Sequence, residues 1–174
     1  MGESALGSFF FLLSIPAVLA VPVWVVVVAV KLISVAAPGR RPDWRRDLLR
    51  WSAWMAGWGA VILYVLGAGA VGLAVHESSS GADSTPAHEC RDDYRVDHLV
   101  GQTASYLPLR FDCVLDDGGT YPSSPAYFWI NTVVAVLALA SIALVVTNGY
   151  AAERRAAAQG LSGTAVRSRK PDRP

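Results

Sequence analysis

Three long stretches without charge alternate with short polar segments along this chain. From Ser4 to Val30 no residue is charged, and the run from Phe9 to Val30 is apolar on nearly every side rather than on one stripe. Trp51 to Val75 is a second uncharged run, and Tyr127 to Tyr150 a third. A helix that is apolar all round belongs in a core or a membrane. At about 1.5 Å rise per residue, about 20 residues cross the hydrocarbon layer, so each run is long enough to span it with some tilt. The pattern therefore predicts three transmembrane helices. Pro16 and Pro22 fall inside the first. Each would cost a soluble helix about 3 kcal/mol, but in lipid they are tolerated because neighbouring helices re-satisfy the freed carbonyls.

The segments between the runs divide the chain. Residues 1–37 read as the first helix, 38–50 as a basic connector opened by the turn signal Pro38–Gly39, and 51–75 as the second helix. Residues 76–126 read as an acidic loop, 127–150 as the third helix and 151–174 as a tail without an apolar period, disordered from about Gly160 onward. Within the loop, Leu107, Leu109, Phe111, Cys113 and Leu115 alternate with Arg110 and Asp112, which is strand periodicity. Asp116-Asp117-Gly118-Gly119 then reads as a turn into Thr120–Tyr121. Pro108 demotes the strand to an edge or delays its start. The expected fold class is an all-α membrane protein of three spans, with a small disulfide-stapled loop containing a short β-hairpin.

Charge gives the orientation. Of the fifteen Lys and Arg residues, five lie in 38–50 and six in 151–174, against three in 76–126, a segment that also carries nine acids. Basic residues near span ends stay cytoplasmic. The connector and tail are expected inside, the amino terminus and the loop outside, in a multi-pass protein of the cell membrane. The segment ahead of the first run carries Glu3 and no Lys or Arg, unlike a cleaved signal peptide, so the first run is expected to be retained. A net charge of +1 argues against a nucleic-acid partner.

Candidate chemistry is sparse. No acid lies in a span, and Lys31 sits at a span end, whereas ion-coupled transporters usually carry ionisable groups at depth. Cys90 and Cys113 lie in the loop assigned outside, where a disulfide persists. Their spacing is not C-x-x-C, and acids flank both, which disfavours a reactive thiolate. His88, Asp92, Asp93 and His98 have zinc-ligand chemistry but no zinc-ligand spacing, so a solvated acidic loop is the preferred reading. No catalytic residue and no cofactor is assigned. Ala53, Gly57, Ala60 and Gly67 form a small-residue face on the second helix, and Asn131 is expected to make a helix–helix hydrogen bond. Trp51, Trp54 and Trp58 share a face and read as an interfacial belt.

The run YLPLRFDCVLDDGGTY (106–121), ahead of Trp129–x–Asn131 and a final span, resembles small multi-span integral membrane proteins of actinobacteria. The resemblance covers about a third of the chain. It implies a multi-pass fold and attaches no activity, ligand or catalytic residue. The favoured function is a non-catalytic accessory or interaction subunit that presents an extracytoplasmic module. Its expected partners are the lipid bilayer and another membrane protein or a second copy of the chain. A membrane thiol-disulfide oxidoreductase and a subunit of an oligomeric transporter or channel are the alternatives.

Overall fold

In a computed structural model, residues 2–36, 44–79, 87–91 and 96–167 are described. Three helices, α1 (Gly2–Ala36), α2 (Trp44–Ser79) and α3 (Ala126–Arg167), accompany a three-stranded antiparallel sheet. All three helices are long and apolar enough to cross a membrane. The middle helix in space is α2, which packs against both α1 and α3 and is far more buried than either. Large apolar residues of the flanking helices face outward, among them Leu12, Leu19, Ile33, Leu139 and Ile142. The outward apolar surface is the reverse of a soluble bundle, whose polar face meets water.

Small residues let the backbones meet. A Cβ added at Gly72 would stand 2.7 Å from the Gly7 carbonyl oxygen, so α1 crosses α2 there almost backbone to backbone. One turn before it, Ser14 fills the space over Gly69. Further along, the Trp24 ring lies over Gly59, and its indole N–H donates to the Met55 carbonyl at 3.2 Å. On the other side Ser141 of α3 donates its hydroxyl to the Ala53 carbonyl at 2.8 Å and sits over Gly57. Of the expected small face, Ala53, Gly57 and Gly67 meet α3, and Ala60 is buried. The α1 contact through Gly69 and Gly72 is an addition to that face. Trp54 and Trp58 are exposed, as a belt requires, and Lys31 Nζ lies 6.0 Å from the Trp51 ring centroid.

Several boundaries differ from the sequence expectation. The connector 38–50 is helical from Trp44, so Arg45, Arg46 and Arg50 ride on the first turns of α2 rather than in a loop. At its other end α2 continues to Ser79, beyond Val75. The tail, expected to be disordered from about Gly160, is helical as far as Arg167, and residues 168–174 lie outside the described residues. The physical reason is continuity. A helix already formed to Tyr150 removes the nucleation cost, and the Ala- and Arg-rich residues 151–159 propagate it well.

The sheet also exceeds the expected hairpin. Strands β1 (Leu99–Tyr106), β2 (Leu109–Leu115) and β3 (Thr120–Pro122) lie in the order β1-β2-β3. The β2–β3 pair with its Asp116–Gly119 turn is the hairpin expected. Gly118 takes φ +80° there, and the Asp117 side chain accepts the Gly119 N–H at 2.7 Å. Strand β1 is the unexpected member. It joins β2 through the two residues Leu107–Pro108, whose peptide bond is cis. Pro108 delays the strand to Leu109, and β2 is central rather than an edge.

Candidate functional site

Everything that distinguishes this molecule from a plain helical bundle lies at the end where α1 begins, α2 ends and α3 begins. There β2 turns Leu109, Phe111 and Cys113 inward, and all three are fully buried. They share a core with Ala68, Val71 and Ala74 of α2, Tyr127 of α3 and Tyr121 of β3. Leu107, expected on that same face, is instead 84% exposed, because the chain reverses at Leu107–Pro108 before β2 starts. Leu115 is partly buried at the other end of the strand.

Cys90 and Cys113 are joined by a disulfide with their Cα atoms 6.0 Å apart. Cys90 closes a short 3-10 turn, His88–Cys90, with its N–H on the Ala87 carbonyl at 2.9 Å. Both cysteines are fully buried, and the Tyr121 hydroxyl donates to the Cys90 carbonyl at 3.3 Å. The bond thus ties the start of the loop to the middle of the central strand and is sealed within the core.

Asn131 has a different role from the one its position suggested. Its side-chain oxygen accepts the Leu109 N–H at 3.1 Å, and its side-chain nitrogen donates to the Leu109 carbonyl at 2.9 Å. It is therefore bound to the strand rather than to another helix. Strand β3 pairs with β2 only between Asp112 and Val114, so the amide of Asn131 stands in for a missing strand at Leu109. Tyr64 of α2 completes the seat by donating its hydroxyl to the Tyr106 carbonyl at 2.9 Å. The Tyr106 ring stacks on Phe10 of α1, centroids 5.2 Å apart and planes inclined by 22°. All three helices thus grip the same end of the β1–β2 hairpin, next to Leu107–Pro108.

The candidate metal ligands do not converge. His88 and His98 are exposed, and Asp92 and Asp93 lie outside the described residues. Among the described residues no three His, Cys, Asp or Glu side chains gather. His98 Nδ1 instead lies 3.1 Å from Asp116 Oδ2, and this hydrogen bond together with the Asp116 charge raises the His98 pKa above the ordinary value. The pair joins the entry of β1 to the β2–β3 turn, where the Asp116 N–H also meets the His98 carbonyl at 2.8 Å. Asp112 is buried and pairs through Oδ2 with Arg110 at 3.2 Å. Both line a groove of about 570 Å³ between β2 and α3.

The β1 edge of the sheet runs beside the end of α2, where Val75, Ser78 and Ser79 share a groove with Gln102, Thr103 and Ala104. Among the described residues no strand pairs with β1 on the side away from β2. Its eight residues, LVGQTASY, include no charge and no proline. Val100 bulges out of register between Leu99 and Gly101 and is 63% exposed, and Gln102 and Thr103 are also exposed. Sequence reasoning missed this strand because Gly, Gln, Thr, Ala and Ser break the apolar alternation. The available signal was the proline two residues after Tyr106, which suits a tight reversal between two strands. Comparison with protein-family models, with curated proteins and with solved structures gives no match to this chain.

Proposed function

We propose that the chain is a three-span protein of the cell membrane whose extracytoplasmic sheet is a non-catalytic interaction module, recruiting an extended segment of a partner protein to the side of β1 away from β2. Three apolar helices and the eleven-to-three split of basic residues support the orientation, with the amino terminus and module outside and the carboxyl terminus in the cytoplasm. The observation that carries the interaction reading is the outer side of β1 about Gln102 and Ala104, which has no strand partner among the described residues, while Tyr64 already meets the edge at Tyr106. Proteins that must avoid strand addition blunt their edges with lysine, proline or a short strand. Strand β1 has eight residues and none of these residue types, and its bulge lies at one end only. Such an edge offers main-chain hydrogen bonds to an added strand. The buried disulfide favours a staple over a redox couple, since thiol exchange needs access to sulfur.

The test is a photo-crosslinking amino acid placed in intact cells at Val100, Gln102 or Thr103, and at Asp117 on the far turn. The β1 positions are expected to yield a discrete adduct and Asp117 none. Ala104→Pro, which removes an N–H on the side of β1 away from β2, should abolish the adduct while the disulfide still forms. Equal yields at β1 and Asp117, or no adduct anywhere, would contradict the reading.

A further inference from the structure

We infer that the tip of the β1–β2 hairpin, Leu107–Pro108, is immersed among the acyl chains of the outer leaflet, so that the module is anchored in lipid and does not stand clear of the membrane. The inference rests on the three-span reading above.

Exposure alone carries nothing, because single exposed leucines are common on soluble proteins. Depth decides. Leu109, two residues beyond the tip, has a side-chain methyl in the space over Gly67, and Tyr64 reaches the Tyr106 carbonyl. Gly67 lies eight residues inside the end of the apolar run that closes at Val75, about 12 Å along the helix. On α3 the strand is held by Asn131, two residues beyond exposed Trp129, which with Phe128 is an aromatic pair suited to the headgroup level. Pro108 lines the same groove as Thr132 and Ala135, the latter nine residues into α3. On both helices, then, the tip falls within the stretch that lipid must cover.

The hydrogen bonds agree with that depth. Irregular backbone survives at membrane depth only where its polar groups are satisfied by protein. At this tip Pro108 has no N–H to satisfy. The Tyr106 carbonyl is taken by Tyr64, and both backbone groups of Leu109 are taken by Asn131. A hairpin tip in water needs no such arrangement, since solvent would serve. Here two polar side chains, each drawn from within an uncharged run, are committed to it. The exposed side chains at the tip itself, Leu107 and Pro108, are both apolar.

A fluorescent amino acid at position 107, 117 or 139 tests this in the full-length protein. The protein is reconstituted in vesicles of phosphatidylethanolamine and phosphatidylglycerol. Quenching by iodide in water is compared with quenching by lipids carrying a nitroxide near the glycerol end of the acyl chain. Position 139 reports the span and 117 the aqueous turn. Position 107 is expected to be quenched by the nitroxide lipids and several-fold less by iodide than position 117. If 139 is shielded but 107 is as open to iodide as 117, the immersion is wrong while the spans stand. If 139 is itself open to iodide, the three-span reading fails and the immersion with it. Shielding of 107 in cells but not in vesicles would assign the tip to a protein partner and overturn the proposal.

Discussion

Asn131 binds Leu109 through both ends of one amide, accepting its N–H and donating to its carbonyl. A single side chain of α3 thereby extends the hydrogen-bond ladder of β2 by one residue.

Replacing Asn131 by Leu keeps the volume and strands two backbone groups. An unsatisfied buried polar group costs about 1–3 kcal/mol. The loss should be local: amide exchange at Leu109 is expected to accelerate strongly in Asn131→Leu, while mid-helix amides of α2 stay protected. Unchanged protection at Leu109 would mean that the pair contributes little.

The crossing of α1 and α2 depends on an absent side chain. A Cβ at Gly72 meets the Gly7 carbonyl, which is backbone and cannot swing away. Gly72→Val should cost about 1–3 kcal/mol by overpacking and lower the melting temperature in detergent. Gly101→Ala, where nothing lies within 4 Å of an added Cβ, should melt with the wild type.

The disulfide should be structural. Removing it as the double variant Cys90→Ser/Cys113→Ser is expected to cost the module about 2–5 kcal/mol, the range for small secreted domains. Proteolysis should then cut within 96–122 while the helices stay intact. Without reductant, neither native cysteine should react with a thiol reagent on intact cells.

His98 supplies a pH dependence whose sign is fixed by its partner. Asp116 raises its folded pKa, so the contribution is fully present below the ordinary histidine value and lost as pH rises through the folded one. Both groups are well exposed, so the effect on stability is small. The His98 ring resonance should titrate above about 6.5, and Asp116→Asn should bring the midpoint back down.

Much of this architecture was legible in the residues, for identifiable reasons. Uncharged runs of more than twenty residues are long and apolar enough to form membrane-crossing helices, and three such helices are present. Cys113 between Phe111 and Leu115 announced a buried strand face, and Cys90 its partner. What escaped the sequence was tertiary. Strand β1 owes its existence to pairing with β2, not to the propensities of Gly101, Gln102 or Ala104. Asn131 looked like a helix–helix bond because nothing local reveals that β3 stops short of Leu109. The helical continuation through residues 151–159 was hidden by reading low hydropathy as disorder, although Ala and Arg hold a helix once a preceding helix has started it.

Topology is the claim on which the rest depends, and paired fusions measure it directly. A reporter active only in the cytoplasm and one active only after export are each fused after Ser80 and after Pro174. Activity of the exported reporter at Ser80 and of the cytoplasmic reporter at Pro174 is the predicted result. The reverse pattern, or both positions on the same side, would contradict the account.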